Sequence, residues 1–244
     1  MLNKLKTALI IAVCAAVALS AVFAVRGRTV SVFQPAGSVR VIIDAGHGGT
    51  DGGAVGVSGV YESDINLAVA LKTETVLAFL GCEPVMTRRT ADIDYPADAE
   101  TLRQKKNSDQ KNRAELIKST ENGVLISIHQ NKYTSPSPSG AHVFYGASEG
   151  STELAECVER GLRAAIGEDS VRDMKQISPD IYLMKAASCP AVLVECGFLS
   201  NPSDEKKLTD GKYQTRLAVA LAAGFAEYAS GVDKYEEEIQ YEHP

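Results

Sequence analysis

The chain has 244 residues, of which 45% are hydrophobic, and its formal net charge at pH 7 is −6. This length and apolar content are enough for one α/β domain with a sizeable core. The acidic balance argues against nucleic acid as a partner. It also gives the chain as a whole no electrostatic attraction to a polyanionic surface.

The first 28 residues are predicted to be a signal peptide or a membrane anchor. Lys4 and Lys6 precede an apolar run over residues 8–25, which is about long enough to cross a bilayer. The two lysines favour an amino terminus on the cytoplasmic side, and residues 22–24 would serve as a cleavage site. Cleavage and retention both remain open. In either case we expect the rest of the chain to be extracytoplasmic.

Strand-like and helix-like segments alternate along the rest of the chain. The predicted strands cover residues 39–44, 83–87, 124–128, 141–145, 181–184 and 191–194. The predicted helices cover residues 64–80, 151–166 and 213–228, with a further helix that ends at Ile117. This order predicts an α/β fold, with a single domain over residues 39–230. Its sheet is expected to be twisted and mostly parallel, with helices on both faces.

Two polar segments are predicted to lie outside this framework. Residues 91–112 are polar and charged, and we expect them to form a lid-like or mobile insertion. Residues 232–244 are acidic, and we expect them to form a disordered tail. Whether residues 91–112 gate a cleft is left open by the sequence.

The cysteines do not indicate a metal site. Beyond the apolar run the chain has Cys82, Cys157, Cys189 and Cys196, with no pair at metal-like spacing. Two disulfides are arithmetically possible in an exported protein. For Cys196 the simpler interpretation is a small buried residue. It follows Glu195 in a strand-like run, so the two side chains would face opposite ways.

Four residues that can bind a metal or carry a proton occupy comparable places in the predicted fold. His47 follows the first strand in the glycine-rich turn DAGHGGTDGG, His129 ends the strand VLISI, and Glu195 follows AVLV. Glu62 opens the first amphipathic helix. The carboxyl ends of strands in an open α/β sheet form one crevice, where ligands bind. Two imidazoles and a carboxylate there suit a hydrolytic zinc site, with a further carboxylate free to move protons.

The two residues nearest the amino terminus of the domain each have a structural alternative. His47 could merely cap a turn, but the glycines on both sides favour close backbone approach to a bound group. A phosphate loop is disfavoured because no Gly-Lys-Ser/Thr follows. Glu62 could be an acidic residue favoured by the helix dipole, an explanation that applies equally to Asp64.

The two later residues are harder to explain structurally. His129 ends an apolar strand, where a ligand is a better explanation than a satisfied core histidine. Glu195 follows four apolar residues, where a charge is costly unless it is paired or functional. The structural alternative for Glu195 is an ion pair with Arg88 or Arg113.

Two further residues are weaker candidates. Asp44 could orient a ligand imidazole, or merely shape the turn that follows it. His142, on the next strand, could point into the cleft, but solvent exposure on an edge strand is the default expectation.

Four sequence blocks, taken together, resemble a known family. They are DAGHGG, a Glu about fifteen residues later, SIHQN and PAVLVECGFLSNPSDEKKL. In this order and spacing they are similar to the zinc N-acetylmuramoyl-L-alanine amidases of the amidase-3 type, over about residues 39–228. The resemblance implies that His47, Glu62 and His129 bind one Zn²⁺ ion and that Glu195 is the catalytic acid/base. One departure is Gln130, where the family more often has a small residue. We expect Gln130 to line the cleft without touching a ligand.

The resemblance implies hydrolysis of the amide between the lactyl group of N-acetylmuramic acid and L-alanine in peptidoglycan. Two alternatives stay open, a zinc carboxypeptidase of the same fold and a non-catalytic scaffold for wall assembly. Few residues follow the last predicted helix, so we expect no wall-binding module there. In this respect the chain resembles sporulation-type members, which remove stem peptides as a step toward muramic lactam in the spore cortex. A membrane anchor or a protein partner is then expected to localise it.

Overall fold

The computed structural model describes residues 39–242, with side chains for residues 39–231. The predicted signal peptide or anchor lies outside the described residues. Within the part of the chain that is described, no helix combines the length and apolarity needed to cross a bilayer.

A six-stranded sheet forms the centre of the domain. Its strands are β1 (Arg40–Ala45), β2 (Val85–Met86), β3 (Gly123–Asn131), β4 (Ala141–Tyr145), β5 (Val171–Gln176) and β6 (Ala191–Phe198). The spatial order is β2-β1-β3-β6-β4-β5. All neighbouring strands are parallel except β4 and β6, which are antiparallel. The prediction of a mostly parallel sheet is therefore confirmed.

Helices cover both faces of the sheet, as predicted. They are α1 (Glu62–Phe79), α2 (Leu102–Ser119), α3 (Ser151–Ile166), α4 (Tyr182–Ala186), α5 (Pro202–Leu208) and α6 (Gly211–Glu242). The larger apolar core joins one face of the sheet to α1, α3 and α6. The smaller core joins the opposite face to α2 and α4. The central strands are buried on both faces, which explains why they read as unbroken apolar runs.

One predicted strand in the carboxyl-terminal half of the chain is wrong, and one strand there was not predicted. Residues 181–184 form the N-cap and the first residues of helix α4, not a strand. A short apolar run cannot distinguish a strand from a buried helix, and here Leu183 and Met184 pack on the smaller core. The strand that joins β4 at this edge is instead β5, whose sequence VRDMKQ is mostly exposed and has no apolar alternation.

The two polar segments are more ordered than the sequence predicts. The second half of residues 91–112 belongs to α2, which begins at a capping box between Thr101 and Gln104. At the carboxyl end, the backbone of α6 remains helical to Glu242, through most of the segment predicted to be a disordered tail. No Gly or Pro occurs between Gly231 and Glu242, and residues with high helix propensity are frequent there.

Candidate active site

A glycine-rich loop after β1 brings His47 over the carboxyl edge of the sheet. His47 itself has a positive φ of 60°, a conformation that is uncommon outside glycine. The preceding residue, Gly46, lies directly against the imidazole of His129, and a Cβ atom there would overlap that ring. The glycine is therefore required by the close approach of the loop backbone to a second site residue.

His47, Glu62 and His129 come together although they belong to three different elements. The Nε2 atom of His47 is 3.4 Å from Oε2 of Glu62, and Nδ1 of His129 is 2.9 Å from Oε1 of Glu62. The two imidazole rings meet edge to face, with centroids 5.1 Å apart. One ligand atom from each residue lies within 4.8 Å of the others, so the three could hold a metal ion.

The carboxylate of Glu62 is buried and held by hydrogen bonds from several directions. The backbone N–H of Ala54 donates to Oε2 at 2.8 Å, and the backbone N–H of Gln130 donates to Oε1 at 3.1 Å. The side-chain amide of Asn66 adds a bond of 3.3 Å. Burial alone would raise the pKa of Glu62, but the hydrogen bond and charge of His129 lead the effects that lower it to about 2. Glu62 is thus held as a carboxylate.

Asp51 orients His47 from the side away from Glu62. Its Oδ2 atom is 2.9 Å from Nδ1 of His47 and 3.0 Å from Nζ of Lys106. The hydrogen bond to His47 is the main cause that lowers the pKa of Asp51. Sequence reasoning missed both Asp51 and Lys106. The signal available for Asp51 was its place four residues after His47, in the same glycine-rich loop.

Glu195 lies beside His129 but in a very different environment. The two residues are register partners on the parallel strands β3 and β6, so their side chains share one face of the sheet. The Oε2 atom of Glu195 is buried and has no hydrogen-bond partner among the described residues. Burial raises the pKa of Glu195 to about 7, and the positive potential of His129 limits the rise. Because β6 continues to Phe198, Glu195 stands within the strand and not at its end.

The structural alternative for Glu195, an ion pair with an arginine, is contradicted. Arg88 donates to the backbone carbonyls of Ala45, Gly46, Ser63 and Thr90. Arg113 is paired with Asp109 at 2.7 Å and with Asp44 at 3.2 Å. Both guanidinium groups are therefore used in holding the loop and α2 in place.

Asp44 supports the site, but it does so without orienting an imidazole, which was one of the two roles predicted for it. Its fully buried carboxylate accepts hydrogen bonds from Ser127 at 2.6 Å, from Thr87 at 2.9 Å and from Arg113. Burial opposes its ionisation, but Arg113 leads the contacts that lower the pKa of Asp44. Among its described contacts, none is a hydrogen bond to an imidazole of the site. Asp44 instead ties β1 to β3 and α2 beneath the cluster.

Two expectations about neighbouring residues are wrong. His142 is 6% exposed and does not lie on an edge strand, because β4 is enclosed between β6 and β5. The side chain of Gln130 is 3% exposed and donates to Asn66, so it does not line the cleft. The backbone of Gln130 does reach the site, through its hydrogen bond to Glu62.

The four cysteines of the described region are free thiols: Cys82, Cys157, Cys189 and Cys196. The two possible disulfides are therefore not formed in the structure. Cys196 is buried in the larger core, on the face of β6 opposite Glu195, as predicted.

His47 and His129 of the cluster line one open cleft of about 390 Å³ together with Glu195. Its lining also includes Lys106 and Gln110 of α2 and residues 180–184 around the start of α4. The helical half of the predicted insertion over residues 91–112 thus contributes to the lining of the cleft. A cluster able to bind a metal beside a carboxyl with a pKa near neutrality is an arrangement suited to hydrolysis.

Comparison with known proteins agrees with this chemistry. A germination-specific N-acetylmuramoyl-L-alanine amidase from Bacillus subtilis is 36% identical over 189 residues, covering 77% of this chain and 78% of the relative. The solved structure of the CwlD amidase from Clostridioides difficile, in complex with the GerS lipoprotein, is similar with a TM-score of 0.74. It is 38% identical and covers 79% of this chain and 98% of that chain.

A second solved structure is the catalytic domain of CwlV, an N-acetylmuramoyl-L-alanine amidase from Bacillus (Paenibacillus) polymyxa. It is 31% identical, with a TM-score of 0.67, and covers 79% of this chain and 98% of that chain. Residues 41–227 match the Amidase_3 family, which is described as N-acetylmuramoyl-L-alanine amidase. The chain therefore belongs to the Amidase_3 family and is a peptidoglycan amidase.

Proposed function

We propose that this amidase is zinc-dependent and cuts the bond between the lactyl group of N-acetylmuramic acid and L-alanine of the stem peptide. The observation that carries the proposal is the cluster of His47, Glu62 and His129 directly beside Glu195. The four residues supply a binding site for a cation and a separate group that can exchange protons. The family to which the chain belongs supports the choice of bond.

The donor atoms of the cluster fit zinc. Zn²⁺ is bound in hydrolytic sites by two imidazoles and a carboxylate, with a fourth position left open. His47 and His129 would supply the imidazoles and Glu62 the carboxylate. Asp51 fixes the orientation of His47, as partners of zinc-binding histidines commonly do. When bound, zinc would polarise the scissile carbonyl and lower the pKa of the attacking water.

Glu195 is suited to move the proton in both directions. With a pKa of about 7 it is partly ionised at neutral pH, so it can take a proton from the attacking water. The water oxygen then bonds to the carbonyl carbon, and the carbon–nitrogen bond breaks. Protonated Glu195 returns the proton to the departing amine of L-alanine. The products are a lactyl carboxylate on the glycan and a free stem peptide.

The substitution Glu195→Gln tests this assignment. It keeps the shape of the side chain but removes the proton carrier, so turnover should fall by about two or more powers of ten. Zinc content and folding should persist, because the glutamate is not assigned to the metal. Glu115→Gln, on the exposed face of α2, is the matched control. A near-normal rate for Glu195→Gln would show that another group is the base.

The bond that is cut is tested separately by mass analysis of digested peptidoglycan. An amidase releases intact stem peptides and leaves lactyl carboxylates on the glycan. A carboxypeptidase would shorten the peptides by their last residue and leave every lactyl amide intact.

Removal of the metal by a chelator should stop the reaction, and added zinc should restore it.

We further propose a role in the spore cortex. The germination-specific name of the Bacillus subtilis relative supports it. If the proposal holds, deletion of the gene should remove muramic lactam from cortex peptidoglycan, and the wild-type chain should restore it. The Glu195→Gln variant should fail to restore muramic lactam. Unchanged muramic lactam in the deletion strain would contradict this role while leaving the amidase assignment intact.

We also propose that residues 1–28 export or anchor the enzyme, and that a protein partner helps to localise it. The Clostridioides difficile amidase was solved in complex with a lipoprotein, which supports a partner of this kind. Deletion of residues 1–25 should leave a folded enzyme, active on isolated wall fragments, in the cytoplasmic fraction. Export of the shortened chain would contradict the assignment.

A further inference from the structure

The apolar residues that line the cleft are concentrated in one part of it. The lining residues that come from the glycine-rich loop, α2 and β3 are all polar. The apolar ones are four consecutive residues at the start of α4 and one residue of β6. We call these five residues the apolar shelf: Ile181, Tyr182, Leu183, Met184 and Leu193. The cleft thus has a polar part and an apolar part.

Two members of the apolar shelf, Ile181 and Tyr182, are not needed for packing of the core. The other three, Leu183, Met184 and Leu193, are buried in the smaller core. Ile181 and Tyr182 are 40% and 44% exposed, and neither belongs to an apolar core of the described residues. Adjacent large apolar side chains that stay exposed in a cleft of this kind indicate contact with a ligand.

The apolar shelf lies on the Glu195 side of the cleft. Leu193 precedes Glu195 by two residues on β6, so the two side chains share one face of the sheet. Helix α4 packs against the same strand. On the neighbouring strand β3, the register partners of Leu193 and Glu195 are the polar residues Ser127 and His129. The lining therefore changes from polar to apolar in the direction from β3 to β6.

The chemistry of the reaction determines which half of the substrate meets this side. When the carbon–nitrogen bond breaks, Glu195 returns a proton to the departing amine, so this nitrogen must come within hydrogen-bond reach of Glu195. The first carbon beyond the nitrogen is the α-carbon of L-alanine, which carries a methyl group. The other half of the substrate leads through the lactyl group to a sugar with hydroxyl and acetamido groups, which a polar lining suits better. The methyl group is therefore the part of the substrate that matches the apolar shelf.

We propose that the apolar shelf binds the L-alanine side chain of the departing stem peptide, and that Ile181 and Tyr182 determine the preference for this residue. Contact between the methyl group and the two exposed side chains removes apolar surface of both partners from water. The same contact holds the departing nitrogen toward Glu195. The proposal rests on the proposed function, because it uses Glu195 as the group that protonates the amine.

The test compares two soluble muramoyl peptides that differ only in the first residue, which is L-alanine or glycine. The full-length protein should cleave the alanine substrate with a kcat/KM about tenfold higher, as expected for one methyl group in an apolar site. Replacing Ile181 and Tyr182 by Ala should reduce this ratio to about twofold, mainly through slower cleavage of the alanine substrate. A purely structural defect would slow both substrates alike and leave the ratio unchanged.

Three further variants accompany the double variant. Tyr182→Phe keeps the ring and removes only the hydroxyl, so it should keep the ratio of the parent. The matched control combines Phe79→Ala with Val219→Ala, which removes two exposed apolar side chains outside the cleft lining and should also keep the ratio. The double variant should fold, because both replaced side chains are exposed. Tyr182→Ala alone, which disturbs the chain least, should lower the ratio by a smaller factor.

A third substrate tests whether the apolar shelf binds the sugar instead. It carries a D-lactyl group without the sugar ring, joined to the same L-alanyl peptide. The factor by which the sugar ring raises kcat/KM should be the same in the parent and in the double variant. A double variant that loses the advantage of the sugar ring but keeps the preference for L-alanine would assign the shelf to the glycan and overturn the proposal. Equal rates of the parent on the alanine and glycine substrates would overturn it as well.

A binding measurement separates failure of this proposal from failure of the proposed function. If the parent does not release intact stem peptides, the proposed function fails, and the binding of free peptides then decides about the apolar shelf. The full-length Glu195→Gln protein should bind a peptide that begins with L-alanine more tightly than its glycine analogue. The added substitutions of Ile181 and Tyr182 by Ala should remove this difference. Calorimetry measures the affinities without any cleavage, and equal affinities for the two peptides before those substitutions would overturn the proposal.

Discussion

Glu62 and Glu195 both lie next to His129, but Glu62 is buried, Glu195 is half-buried, and their environments differ sharply. Glu62 accepts hydrogen bonds from two backbone N–H groups and one side-chain amide, and its pKa is lowered to about 2. Glu195 has a buried oxygen with no hydrogen-bond partner among the described residues, and its pKa is raised to about 7. The carboxylate of Glu62 and the Oε2 atom of Glu195 are both shielded from water.

The difference shows that hydrogen bonding and the neighbouring imidazole, and not burial alone, separate the pKa values of the two carboxyls. Burial raises the pKa of any carboxyl, and a sufficient number of donors reverses the effect. A carboxylate that is always ionised suits a metal ligand. One that titrates near neutrality suits proton transfer. The glycine-rich loop and the end of β3 supply the donors to Glu62, while β6 supplies none to Glu195.

The largest effect is expected from Glu62→Gln. This change removes the negative charge and one ligand atom, so metal content should fall and activity should drop by about three or more powers of ten. Glu195→Gln, by contrast, should keep its metal. Metal analysis of both purified variants, alongside the rate, compares the two glutamates directly. Equal metal content in both variants would contradict the assignment of Glu62, and not Glu195, as a metal ligand.

A smaller effect is expected from Asp51→Asn, which acts through His47. The amide can still hydrogen-bond to the imidazole, but it no longer carries the charge that favours this orientation. Metal affinity should fall about 10- to 100-fold. Competition with a chelating dye measures the affinity. Asp92→Asn, an exposed position outside the cluster, is a suitable control and should bind metal as the parent does.

The smallest effect is expected on stability, and it depends on pH. In the metal-free protein the pKa of Glu195 is raised to about 7, above the ordinary 4.5, so the folded state binds the proton more tightly. The stabilisation from protonation is complete below about pH 4.5 and is lost as the pH rises through 7. Ionised Glu195 therefore costs up to about 3 kcal/mol above that pH.

Glu195→Gln should accordingly be more stable than the parent at alkaline pH. We expect about 1 to 2 kcal/mol, because the amide of glutamine is also polar and buried. Urea unfolding of the metal-free proteins at about pH 8 and about pH 5 measures the difference, which should shrink at the lower pH. An advantage that is the same at both pH values would show that the charge of Glu195 is not its source.

The sequence was sufficient to predict the strands that carry apolar side chains on both faces of the sheet. β1, β3 and β6 read as unbroken apolar runs, and the residues that follow or end these runs meet in the structure. β5 was missed because most of its side chains are exposed, so it has no apolar pattern. α4 was mistaken for a strand because it is too short to show a helical period.

The supporting residues of the site were harder to predict than its principal members. Asp51 and Lys106 meet only because α2 packs next to the loop, and Arg113 of the same helix reaches Asp44 on β1. Such contacts depend on how elements pack, and no local pattern of residues encodes them. The opposite environments of Glu62 and Glu195 likewise follow from which groups reach each carboxyl, above all the imidazole of His129 at Glu62, and a sequence does not reveal this.

Because His129 and Glu195 are register partners on β3 and β6, the enzyme can become active only after these strands have paired. The two residues are distant in the chain and become neighbours only when β6 adds to β3 in the correct register. A shift of one residue would turn Glu195 into the apolar core and bring Cys196 to the cleft. A nascent or unfolded chain thus has no assembled site. The amidase activity therefore depends on completed folding of the sheet.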